Sequence, residues 1–199
     1  DLDSSTNTSI RQLAFLNEGE KRLFKADVYN DSEKKIDREK FLHVLEEVSQ
    51  LDFTQIYIDF GAPESEQLPN LFRLDFDADT FVELLKELNI DFEINVIIAG
   101  GSAYVSSIQY LKSLYDLLKG KIKINAYANV NTFHNTMSLL DELKTLCDAQ
   151  EINMVRFGDI HSDRESGKLI INNATNGKGN EAYTGITTKM IMRTILNSL

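Results

Sequence analysis

The chain has 199 residues, with 31 acidic against 21 basic side chains, 42% hydrophobic residues and a single Cys. This is the make-up of one ordinary domain, or of one domain with an extension, and it excludes disordered, collagen-like and low-complexity classes. No apolar run approaches the roughly 18 residues of a membrane helix. One Cys allows no internal disulfide, and no Cys/His set has zinc-finger spacing.

The chain opens on Asp1, with no initiator Met, basic n-region or apolar h-region, so a fragment or processed form is expected, located in the cytoplasm. Residues 1–100 carry a net charge of −12 and residues 101–199 a net of +2. The overall −10 repels phosphates and argues against DNA or RNA as a partner. The asymmetry reads first as an acidic solvated face. Two complementary surfaces favouring head-to-tail association are the functional alternative.

In chain order, residues 1–9 are polar and without period, a frayed terminus. Arg11–Leu16 and Arg22–Tyr29 flank Asn17-Glu18-Gly19-Glu20, and the period-two pattern of the second stretch predicts a hairpin. Asn30–Lys35 is a charged loop. From Asp37, an N-cap residue, Phe41, Leu45 and Val48 mark a helical stripe. Gln55–Phe60 is a β-branched and aromatic run ending at Gly61-Ala62-Pro63, a predicted strand.

A loop is expected from Pro63 to Pro69, a short strand over Leu71–Phe76 and a helix over Thr80–Asn89, capped by Asp79. The strand Glu93–Ala99 leads through Gly100-Gly101-Ser102 into a long helix closed by Gly120. A strand over Lys121–Val130, a helix over Thr132–Ala149 and strands at Glu151–Phe157 and Lys168–Ile171 follow. Asn172–Gly185 reads as a mobile loop, and Thr187–Leu199 as a final helix. The alternation from residue 54 onward implies an α/β domain over 54–199, a mostly parallel sheet with helices on both faces. Residues 10–53 form a hairpin-and-helix extension before it.

The paired glycines permit a sharp turn and leave bare N–H groups that can face an oxyanion or a phosphate. Neither GxGxxG nor GxxxxGK[ST] is present. The stretch from Phe81 to Thr132 resembles the Clp protease proteolytic subunit and its prophage relatives, which share the crotonase-type fold. Gly100-Gly101-Ser102 stands in the place of that family's Pro-Gly-Gly-Ser-type turn and Tyr110 in the place of its helix Tyr. Lys121–Val130 takes the place of the strand that delivers the nucleophile. The resemblance spans roughly residues 54–165. It implies Clp/crotonase-like layering, with a doubly wound Rossmann-like sheet as the alternative.

The family's nucleophile falls near Asn131 or Thr132, where no Ser stands. Its His falls at Phe157, with His161 the nearest, and its Asp falls beyond Leu199. Cys147 lies on an apolar stripe as core filler. In Asp159-Ile160-His161-Ser162-Asp163, the Asp-x-His resembles that of metallophosphoesterases, and Asp159, His161 and Asp163 form a candidate divalent-metal set. That family's downstream Gly-Asp and Gly-Asn-His motifs are missing. Asp75, Asp77 and Asp79 alternate, and His43 and His134 read singly as structural. Sequons stand at Asn7, Asn30 and Asn173.

The expected function is a catalytically degenerate binding or assembly module, with a protein partner or a second copy of itself, no nucleic acid, no membrane and no required cofactor. Gly100, Gly101, Ser102 and Asn131 would bind ligand at the carboxyl ends of the strands. One alternative is a hydrolase of peptides, esters or phosphoesters, using Thr132 and His161 or a metal-bound water. The other is a phosphate- or nucleotide-binding domain at the Gly100-Gly101 turn.

Overall fold

Asp37 caps the first long helix as its position predicts. In the computed structural model its carboxylate accepts the amide protons of Glu39 and Lys40 at 3.0 and 3.2 Å. The structure describes residues 1–2, 8–17, 22–30, 32–33 and 35–196. They divide into two units, residues 1–91 with 173–182 and residues 92–172 with 183–199.

In the first unit, α1 (Thr8–Gln12) and a 3-10 turn (Ala14–Asn17) take the place of the expected first hairpin arm. The predicted turn residues Glu18, Gly19 and Glu20 lie outside the described residues. An antiparallel hairpin exists further on, where β1 (Tyr29–Asn30) pairs with β2 (Lys35–Ile36). Asn30 sets the turn, because its Oδ1 accepts from the Ser32 amide, the Ser32 hydroxyl and the Glu33 amide at 3.1, 2.7 and 3.3 Å. An Asx turn of this kind competes well with a glycine turn.

Helix α2 (Arg38–Ser49) buries Phe41, Val44 and Leu45. Among the described residues, the predicted strand Gln55–Phe60 joins no ladder. The expected Pro63–Pro69 loop is instead α3 (Ala62–Asn70). Proline is tolerated in a first turn, where the missing N–H has no partner anyway. Pro69 lies inside the helix, and past it the chain widens into a π-helical turn over Leu71–Asp75, with the Phe76 amide bonded to the Leu71 carbonyl at 3.1 Å. A proline ring crowds the preceding turn, and a wider turn relieves it. This turn replaces the expected strand Leu71–Phe76.

Helix α4 (Ala78–Glu87) is capped by Asp77, whose Oδ1 accepts from the Thr80 amide at 2.9 Å, and Asp79 lies in its first turn. Phe81 on α4 forms the centre of the unit, with ring centroids 6.3, 5.3 and 5.2 Å from those of Phe41, Phe72 and Phe76.

The second unit is built on three parallel strands, β3 (Glu93–Ile98), β4 (Lys123–Asn129) and β5 (Asn153–Phe157), in the order β3-β4-β5. Helix α5 (Tyr104–Leu118) joins the first two and α6 (Met137–Ala149) the last two. Burial alternates along the edge strand β3 and is continuous in the middle of β4, where Ile124, Asn125 and Ala126 are all buried. Ile94, Val96 and Ile98 are buried, whereas Glu93, Asn95 and Ile97 are exposed, Ile97 by 56%. The face that carries Glu93 and Asn95 holds a ladder in register: the Asn125 amide donates to Asn95 at 2.8 Å and accepts from Asn153 at 3.2 Å. One step toward the amino end, Lys123 bonds Glu93 at 2.7 Å and holds its carboxyl below the usual glutamate range, against a smaller opposing effect of burial.

Lys168–Ile171, an expected strand, lies inside α7 (Glu165–Thr175), where Gly167, Ile170 and Asn173 are buried at helical spacing. The segment expected as a mobile loop begins in that helix and holds a 3-10 turn (Asn180–Ala182). Within it, Asn173 is buried and donates to the Ala182 carbonyl at 3.3 Å. The last helix, α8, covers Ile186–Leu196.

Candidate functional site at the carboxyl ends of the parallel strands

Parallel strands deliver their following loops to one end of the sheet, so the turns after β3, β4 and β5 come together there. After β3 the chain passes Gly100 into a 3-10 turn, Gly101–Ala103, and then α5. Gly100 is buried, and a Cβ there would lie 2.5 Å from the Thr132 carbonyl and 2.9 Å from the Phe133 ring. Only glycine permits that approach. Its amide donates to the Thr132 hydroxyl at 2.7 Å, and this hydroxyl donates onward to the Asn129 carbonyl, also at 2.7 Å. Thr132 therefore fastens the β3 turn to the β4 turn through its side chain.

After β4, a 3-10 turn over Val130–Phe133 precedes α6 and delays the expected helix start by five residues. Phe133 is fully buried against Tyr104, with centroids 6.0 Å apart at 83°. That anchor carries the next residue, His134, into solvent. Burial, with Glu142 beside it, pushes the Tyr104 phenol up to about 12. Cys147 is fully buried, and desolvation followed by the nearby Asp148 pushes its thiol up to about 11, as fits core filler.

After β5, the chain turns at Gly158 and reaches His161. The His161 carbonyl accepts from the Arg164 amide at 3.1 Å and lies directly against Gly167 of α7. The imidazoles of His134 and His161 then lie nearly parallel as neighbours, with centroids 5.6 Å apart and planes 16° from parallel, and both residues are exposed. This pair is the feature that reading the histidines singly missed. Its signal lay in the register. Asn129 and Phe157 are partners across β4 and β5, and the two histidines follow them by five and four residues.

Among the expected site residues, the structure joins Gly100 to Thr132 and His161 to His134. Gly101 and Ser102 are exposed in the β3 turn, whose helical start has no side-chain cap, and Asn131 is half-buried in the β4 turn. Asp159 and Asp163 flank His161 as exposed residues. Among the described residues, no three His, Cys, Asp or Glu side chains group closely enough to hold a metal ion, and no helix is long and apolar enough to cross a membrane.

No protein-family model matches the chain, and neither a curated protein nor a solved structure matches it.

Proposed function

We propose that the chain is a binding module with no catalytic nucleophile, taking a small ligand at the carboxyl ends of β3, β4 and β5. The observation that carries this reading is the exposed His134–His161 pair, two imidazoles from adjacent loops presented together to solvent. Each ring offers a flat face and a hydrogen-bonding edge, suited to a ligand with a carboxylate, phosphate or carbonyl group. The double engagement of Thr132 supports the absence of a nucleophile, because its hydroxyl already accepts one backbone bond and donates another. The Clp-like resemblance of Phe81–Thr132 fits the same reading, with a fastening hydroxyl where the family has its attacking one.

A panel of inorganic phosphate, a nucleoside monophosphate and a dicarboxylate tests it, with the imidazole C–H resonances as the readout. A ligand of the site moves the His134 and His161 signals together, and His161→Ala removes the response of His134. Hydrolysis of a peptide or ester that is lost in Thr132→Ala, with the fold intact, replaces this reading with a hydrolase. The uncapped, exposed Gly101-Ser102 start favours phosphate within the panel, and amide shifts confined to that turn select the phosphate-binding alternative.

A further inference from the structure

The run Gln55-Ile56-Tyr57-Ile58-Asp59-Phe60 has the composition of a strand and, among the described residues, no strand partner. β-Branched and aromatic residues gain their preference for strands from a neighbour to pack and pair with. Among the described residues, the only backbone bond along the run joins the Leu2 amide to the Asp59 carbonyl at 2.7 Å. Asp59 also accepts the Ser9 hydroxyl, and Phe60 packs on Phe41 with centroids 6.2 Å apart. The carboxyl end of the run is thus anchored. Tyr57 upstream is 77% exposed, with Phe53 and Ile56 also in solvent. Unpaired backbone beside exposed apolar side chains is what strand addition uses: main-chain bonds give affinity and alternate side chains give selectivity.

The charge of the flanking sequence names the partner. Between Lys40 and Arg73 the chain has six carboxylates and no Lys or Arg, with His43 beside two of them, Glu46 and Glu47, at 3.8 and 3.3 Å. Glu64 is buried, and Glu46, Glu47, Asp52, Asp59 and Glu66 are exposed. A second copy would bring the same carboxylates against these, whereas a basic strand would neutralise them. We propose that Gln55–Phe60 is a docking edge for an extended basic peptide, added by backbone pairing. The proposal is independent of the histidine site, since every residue it uses lies in the first unit.

The test uses the full chain and a panel of decapeptides alternating β-branched residues with Lys or Arg. Controls replace the bases with Glu or N-methylate alternate peptide amides. The expected result is tenfold or greater slowing of hydrogen exchange at the Ile56 and Ile58 amides, with binding that weakens as salt rises. The Glu and N-methyl controls should bind at least tenfold more weakly. Tyr57→Pro, at an exposed position, should abolish binding while leaving the thermal unfolding unchanged. Equal binding of the N-methyl peptide, or no protection at 55–60 by any basic peptide, overturns the proposal. A mass that grows with concentration and with salt, accompanied by protection of the same amides without peptide, overturns it in favour of a second copy.

Discussion

The hydroxyl of Thr132 stands 2.7 Å from the amide nitrogen of Gly100 and receives its proton, so two loops 32 residues apart in sequence are joined by one side chain. Thr132→Ser keeps this bond. Thr132→Ala and Thr132→Val leave a part-buried N–H without its acceptor, and each should lower stability by about 1–3 kcal/mol. Urea unfolding of the three variants measures this, with the serine variant close to the parent.

Gly167→Ala sets two effects against each other. Helix propensity alone favours alanine by about 1 kcal/mol. The added methyl, however, meets the His161 carbonyl, a backbone group that can yield only by moving its loop. Overpacking of that kind costs about 1–3 kcal/mol. The expected outcome is net destabilisation, with loss of the contacts between the His134 and His161 rings in a nuclear Overhauser experiment.

Asn125 is 2% exposed, and its amide is engaged on both sides. Asn125→Ala should cost about 1–3 kcal/mol, because Asn95 and Asn153 each lose a partner. Asn125→Asp should cost more, since it removes the donor facing Asn95 and brings a second carboxylate near Glu93. Denaturant midpoints should fall in that order with unchanged slopes.

The phenols of Tyr104 and Tyr110 are pushed up to about 12 by burial, aided at Tyr104 by Glu142. An acid whose folded pKa is raised stays protonated longer in the folded state than in the unfolded one. Its contribution to stability is complete below pH 10, the ordinary tyrosine value, and is lost as pH rises from 10 toward 12. Alkaline unfolding should therefore set in within that window. Tyr110→Phe should move its onset upward, as followed by tyrosinate absorbance.

The alternation of strands and helices across residues 93–157 was legible because each strand is followed by a long amphipathic helix with its own period. Asp37 was readable as a cap from its place before a helical stripe. Short apolar runs were not readable in the same way. Lys168–Ile171 and Leu71–Phe76 carry too few residues to separate a strand from one face of a helix, and their neighbours decided them. Gln55–Phe60 shows the converse, a run with strong strand preference and, among the described residues, no ladder to join. Pro69 hid α3 because a proline usually ends a helix, whereas here the following turn widens to accommodate it.

The site was half legible. His161 stood out beside two aspartates, and Gly100 stood out as part of a pair. That His134 neighbours His161 depends on strand register, which a periodic pattern does not encode. The role of Thr132 depends on how closely two turns approach, which only the absence of a Cβ at Gly100 permits.

The chain has no Trp, and its other aromatics are unevenly shared. Phe41, Phe60, Phe72, Phe76 and Phe81 make the heart of the first unit, whereas five of the seven tyrosines, Tyr104, Tyr110, Tyr115, Tyr127 and Tyr183, belong to the second. Near-ultraviolet dichroism therefore offers two built-in optical channels, a phenylalanine band weighted to one unit and a tyrosine band weighted to the other. Melting curves recorded in the two bands would superimpose if the halves come apart as one cooperative block and separate if each melts on its own.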